Sequence, residues 1–258
     1  MKSVLFEKKE NVGWIILNQP KQRNALSLEL MNEMQNQLDI ISKNRNLHVI
    51  VIKGNGPAFC AGHNINELVG KNYDIKHFRN VFSVCTKLMQ TLHQIPQPVI
   101  AQVHGAALAA GCQLVAACDL AICDIKTKFS TPGVKIGLFC STPMVPLSRV
   151  IGRRIALDML FTGRFITASE AEKFGLVNKV VEPDKLDKET EKWAKDIAQY
   201  SLFTLELGKK AFYHQIDLDE KSAYNYAKEV IAKNCLSEDA QEGMKAFLEK
   251  RKPKWNDK

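Results

Sequence analysis

The stretch Val103–Asp119 reads V-H-G-A-A-L-A-A-G-C-Q-L-V-A-A-C-D, and the fold turns on how it is read. It leaves an apolar, β-branched run, crosses a loop of small residues and enters a helix near Gly111. A buried strand that feeds a helix in this way belongs to an α/β architecture. A helix N-terminus carries unpaired N–H groups and a partial positive charge, which suits an oxyanion or a phosphate. Small residues let a ligand lie against that backbone. They serve close helix packing equally well.

On either side of this stretch the pattern alternates. Val12–Leu17, His48–Lys53 and Val99–Val103 are rich in β-branched residues and predict strands, with Leu120–Cys123 a weaker fourth. Ser27 predicts the N-cap of a helix in which Leu30, Met31, Met34, Leu38 and Ile41 recur at helical spacing. A second helix is expected over Ile75–His93, before I-P-Q-P. The order β, α, β, α, β predicts a core with parallel strand pairing. Beyond it, Pro143–Phe161 and Ser169–Phe174 read as helices, with a last strand near Val177–Val181 and an almost wholly helical pattern from Leu186. No fixed-period repeat or low-complexity linker interrupts the chain. The expected partition is an α/β core over 1–200 and a helical C-terminal section over 201–258. The loop Gly54–Asn64 (G-N-G-P-A-F-C-A-G-H-N) follows a strand, and its glycines allow close backbone approach to a ligand or simply a connection to the next helix.

The composition excludes collagen-like, coiled-coil and disordered classes, and 258 residues can bury a large core without a disulfide or metal staple. The 36 Lys+Arg against 28 Asp+Glu leave a formal charge of +8, which points to an anionic partner. The seven cysteines are scattered and form no C-x-x-C pair, so a reducing compartment is expected. The start, M-K-S-V-L-F-E-K-K-E, has neither a signal-peptide core nor transit-peptide composition, which predicts a cytoplasmic location. The longest apolar stretch, Gly105–Cys118, is shorter than the roughly 18 residues that span a bilayer, so no membrane partner is expected.

Five ordered segments carry a family resemblance. They are N-Q-P-K-Q-R-N-A-L (Asn18–Leu26), F-C-A-G-H-N-I-N-E-L (Phe59–Leu68), Val103–Asp119, L-F-T-G-R-F-I-T-A-S-E-A-E-K-F-G-L-V-N-K-V-V (Leu160–Val181) and the tail E-G-M-K-A-F-L-E-K-R-K-P-K-W. Together they resemble the crotonase (enoyl-CoA hydratase/isomerase) superfamily across most of the chain. The resemblance implies a ClpP-like spiral of ββα units with a C-terminal trimerisation section, and a homotrimer or homohexamer. It implies an acyl-CoA thioester substrate, with no further cofactor or metal required. The thioester oxygen would sit between the backbone N–H groups of His63 and Ala110, a hole that stabilises an enolate-like intermediate. Coenzyme A contacts carry over to Lys21, Gln22, Arg23, Ala61, Gly62, Ile65 and Lys250.

The chain departs from the family at the acid–base positions. Gln113 and Gly133 stand where hydratases carry two glutamates, and a glutamine orients water without taking its proton. Cys140 and Ser141 occupy the place where other branches keep an alternative acid. This combination resembles the enoyl-CoA hydratase domain-containing branch. It leaves two further readings: a non-catalytic acyl-CoA binder acting as sensor or assembly subunit, and an RNA-binding relative. Nucleic acid is the weaker expectation, because no aromatic residues interleave with the basic tail. Restoring Glu at 113 and 133 is expected to create hydratase activity. Asp119 is expected to be structural.

Overall fold

The structure, a computed structural model, describes residues 2–69 and 72–258; Met1 of the N-terminal segment read above lies outside them. Strands β1 (Val4–Lys9) and β2 (Val12–Leu17) form an antiparallel hairpin with Val4 opposite Leu17. From β2 the sheet continues in parallel through β3 (Val49–Gly54), β4 (Val99–Val103), β6 (Leu120–Asp124) and β9 (Lys179–Val181). A second sheet holds β5 (Ala106–Leu108), β7 (Lys128–Ser130) and β8 (Ile166–Thr167), with β5 parallel and β8 antiparallel to β7. Eleven α-helices accompany the strands among the described residues. The α/β core with parallel pairing is as expected.

Residue alternation along the strands sorts the core into two layers, since successive side chains point to opposite faces. Ile15, Leu17, Ile50, Ile52, Val99 and Ala101 pack in the main core with helices α1 (Leu28–Ile41), α3 (Ile75–Gln94) and α4 (Ala110–Ala117). The intervening residues Trp14, Val49, Val51 and Ile100 pack against Leu186, Ala194 and Ala198 of α8 (Leu186–Ala198). A parallel sheet covered on both faces reads as continuous apolar runs, which is why β2–β4 are legible. The Ser27 hydroxyl caps α1 by accepting from Leu30 N–H at 3.1 Å, and Leu30, Met31, Met34, Leu38 and Ile41 are all buried.

The single helix expected over Pro143–Phe161 is two: α5 (Met144–Val150) and α6 (Arg153–Thr162), with Ile151 and Gly152 between them. Ile151 is extended (φ −115°, ψ 155°), which ends α5, and Gly152 starts α6 from an extended backbone. Helix α7 (Ala168–Phe174) begins at a capping box in which Thr167 and Glu170 satisfy each other's N–H groups. Helices α9 (Leu202–Gln215), α10 (Glu220–Asn234) and α11 (Glu238–Leu248) complete the chain. Among the described residues no helix is long and apolar enough to cross a membrane.

Candidate active site

Three loops meet where α4 begins. The first, residues 18–27, is held by buried Asn24, whose Nδ2 donates to the Asn55 and Ala58 carbonyls at 2.9 Å each while its Oδ1 accepts from Gln19 N–H at 2.9 Å. Its backbone fixes the second loop. Ala61 N–H donates to the Arg23 carbonyl at 3.0 Å and Leu26 N–H to the Gly62 carbonyl at 2.7 Å. Leu26 and His63 thereby form a parallel bridge, closed by Asn64 N–H on the Leu26 carbonyl at 3.2 Å. In such a bridge the bonds run through residues 62 and 64, so the N–H of His63 itself points away from Leu26.

Helix α4 supplies the opposing donors. Its first intrahelical bond runs from Gln113 N–H to the Ala109 carbonyl, at 3.0 Å, which leaves the N–H groups of Ala110, Gly111 and Cys112 without intrahelical acceptors. A Cβ on Gly62 would sit 3.5 Å from Ala110 N, so the 62–63 peptide and the helix start are direct neighbours. Gly111 explains the small residues. A Cβ there would lie 2.2 Å from the Cys60 carbonyl oxygen, so only glycine lets the two loops approach this closely. Ligand approach and close packing are here the same requirement.

A cavity of about 470 Å³ opens at this junction, within the range of small-molecule sites. Ala61, His63, Ile65, Ala110, Gly133, Cys140 and Ser141 line it, as do Leu68, Phe82, Lys135 and Phe139, which the sequence reading missed. Ile136, Leu138 and Phe139, clustered in the loop after β7, were the signal for its apolar wall. Phe82 comes from α3 and had no local signal. Gly62 and Gln113 stand outside the lining: Gln113 is buried one turn beyond Ala110, with its Oε1 unpaired among the described residues. Lys21, Gln22 and Arg23 are exposed on the first loop, and Lys250 follows α11, all outside the lining. No carboxylate lines the cavity among the described residues.

The titratable groups of the lining are His63, Lys135 and Cys140. Burial holds the His63 imidazole below its ordinary pKa, partly offset by the Leu26 backbone. Burial likewise pushes the Cys140 thiol up, with the Gly133 backbone opposing it. A thiol held protonated is a poor nucleophile.

Ala109 is strained. Its φ of 48° and ψ of −115° fall where a Cβ is poorly tolerated. Ala109→Gly should relieve about 1–3 kcal/mol of strain against a glycine entropy cost of about 0.5–1 kcal/mol. The urea midpoint is expected to rise; a lower midpoint would show that the Ala109 methyl contributes more by packing on Gly62 than it costs.

This spiral of strands and helices, with a helix start and a glycine loop closing on an apolar cavity, defines a crotonase-fold protein. The enoyl-CoA hydratase/isomerase family model matches residues 7–258, and the chain belongs to that family. It is 45% identical over 254 residues to the Xenopus laevis enoyl-CoA hydratase domain-containing protein 3, mitochondrial, spanning 97% of this chain and 85% of that protein. Among solved structures, the human enoyl Coenzyme A hydratase domain-containing protein 3 superposes with a TM-score of 0.96 at 42% identity, covering 98% of this chain and 100% of that one. The Mycobacterium smegmatis enoyl-CoA hydratase gives the same TM-score, 0.96, at 40% identity and 98% coverage of both chains. The frog protein and its rat, mouse and human counterparts are named as mitochondrial, which overturns the cytoplasmic expectation. That expectation rested on the composition of residues 1–10 and on cysteine usage, and cysteine usage does not separate two reducing compartments.

Proposed function

We propose that the chain binds an acyl-CoA thioester and stabilises an enolate-like intermediate between the His63 and Ala110 backbone N–H groups. The observation that supports this most directly is the convergence of the Leu26–His63 bridge and the α4 start on one apolar cavity. Two fixed donors aimed at a developing oxyanion need no reorganisation during reaction, and losing one costs about 2.7–4 kcal/mol in comparable sites. Neither donor depends on a side chain, so Ala110 serves as well as glycine. Lys135 in the cavity lining, with Lys21 and Arg23 exposed on the first site loop, offers cations for CoA phosphates. The thioester itself brings the coenzyme, and the chemistry needs no metal.

Steady-state assay against 2-enoyl- and 3-enoyl-CoA esters tests this reading, with turnover of at least one class expected. One observation favours a second reading, a non-catalytic acyl-CoA binder: among the described residues the cavity lining has no carboxylate. That reading predicts saturable binding of acyl-CoA esters with no turnover of any. We also propose a homotrimer or homohexamer assembled through the 201–258 section. Tyr224, Ile231, Phe247 and Leu248 on α10 and α11 are large apolar side chains left exposed in one chain.

A further inference from the structure

We infer that the His63 imidazole transfers the proton in this cavity, and that the reaction is a 1,3 double-bond shift rather than a hydration. This rests on the thioester reading above and assigns its missing base. The argument starts from what the imidazole touches. Its ring meets the Phe82 ring edge-on, with centroids 5.3 Å apart and planes at 88°, and that contact sets the ring against the cavity wall. Both ring nitrogens are buried, and neither has a hydrogen-bond partner at normal geometry among the described residues. An imidazole so placed costs free energy unless something in the cavity uses it.

The other groups facing it do not compete for the role. Lys135 is a cation and so cannot accept a proton, and Cys140 is a protonated thiol that takes part in a backbone contact with Gly133. The nearest carboxylate on the α2 segment (Ile65–Val69), Glu67, is turned to the Leu28 N–H at 3.0 Å. From α3, Arg79 and Lys87 face the groove beyond Phe82 rather than the cavity. A neutral imidazole is therefore the one base at hand among the described lining residues.

The geometry also selects the reaction. Hydration needs a water to be held and deprotonated, and the family does this with two carboxylates that have no counterpart among the described lining residues. Here Leu68, Phe82, Ile136, Leu138 and Phe139 form an apolar wall with no side-chain acceptor to hold and deprotonate a water. A single base suffices for a proton shift within one molecule. With a 3-enoyl thioester, a His63 ring nitrogen takes a proton from Cα. The C–H electron pair forms the dienolate, whose charge rests on the thioester oxygen between the two backbone donors. The imidazolium then returns that proton to Cγ, the double bond settles between Cα and Cβ, and the carbonyl re-forms. Proton and electrons balance with no co-reactant.

The test uses 3-hexenoyl-CoA, with formation of 2-hexenoyl-CoA followed by the absorbance of the conjugated thioester. Hexanoyl-CoA binding is measured beside it by calorimetry. His63→Gln keeps the backbone N–H and removes the base. The wild type should shift the bond at a rate that rises with pH and levels off, with its midpoint below 6.5, because only the neutral imidazole accepts a proton. His63→Gln should lose about 10²–10⁴-fold in rate, lose the inflection and keep its affinity for hexanoyl-CoA. Retention of rate by this variant overturns the inference. So does wild-type binding of hexanoyl-CoA without isomerisation, or a wild-type rate that falls as the pH rises toward 8; in these cases the thioester reading stands. Failure of the wild type to bind hexanoyl-CoA removes both. If His63→Gln fails to fold, His63→Asn, which also keeps the backbone N–H and lacks the ring, reads the same loss of rate.

Discussion

Replacing Asp119 with alanine is expected to cost about 3–5 kcal/mol of folding stability, the usual penalty for stranding one half of a buried ion pair. Asp119 sits between α4 and β6, and its two oxygens serve three donors. Lys209 Nζ lies 2.6 Å from Oδ2, Val99 N–H donates to the same oxygen at 2.7 Å, and Tyr213 OH donates to Oδ1 at 2.8 Å. Lys209 also donates to the Leu92 and Gln97 carbonyls, at 2.6 and 2.9 Å, and its side chain is only 7% exposed. Burial pulls the Lys209 pKa down and Asp119 opposes that pull. Without the carboxylate the ammonium keeps its two carbonyl bonds but loses its counter-charge, and Tyr213 OH and Val99 N–H lose their acceptor. The cluster ties α9 to α3 and to the start of β4, with His93 stacked on Tyr213 at 3.9 Å. Urea denaturation reads the loss directly. Asp119→Asn keeps an acceptor and should lose less, while Lys209→Met, which removes the stranded charge, should recover part of the loss when combined with Asp119→Asn. A drop below about 1 kcal/mol for Asp119→Ala would mean that α9 is held chiefly by its apolar contacts.

The legible and illegible parts of this molecule divide along a physical line. Strands β2, β3 and β4 were readable because each is buried on both faces and so is apolar at nearly every position, Lys53 and Gln102 excepted. Strand β1, V-L-F-E-K-K, lies at the sheet edge with mostly exposed residues and carries no such run. Strands β5, β7 and β8 span only three, three and two residues, too few for any period to appear. The backbone of the site loops was legible because glycines at 62 and 111 mark close approach. The side-chain wall was not. Phe82 arrives from a helix nineteen positions further along, and its contact with His63 is a product of packing. Asp119 was read as structural, but its partners Lys209 and Tyr213 lie 90 and 94 residues away, beyond any local pattern.

Installing Glu at 113 and 133 together is expected to yield no hydratase, which reverses the expectation drawn from the family pattern. A Cβ at position 133 would stand 2.5 Å from the Leu138 carbonyl oxygen and 2.8 Å from Cys140 Sγ. The carbonyl is main chain and cannot rotate away, and Leu138 N–H is bonded back to the Gly133 carbonyl at 3.0 Å. The turn 133–138 is thus folded over the place where the family's second glutamate begins. Even Gly133→Ala should cost about 1–3 kcal/mol by overpacking. Glutamate adds a carboxylate beside a wall that includes the apolar Leu138 and Phe139. At 113 the difficulty is electrostatic. Gln113 is 4% exposed with an unpaired Oε1, so a glutamate there would stay protonated rather than act as a base. The double variant should melt below the wild type and hydrate 2-enoyl-CoA no faster. Gln113→Glu alone should fold, bind acyl-CoA and still fail to hydrate. Robust hydratase activity in the double variant at undiminished stability would show that residues 138–140 swing clear, and that the loss of the carboxylates, rather than the turn that fills their place, is what separates this chain from the hydratases.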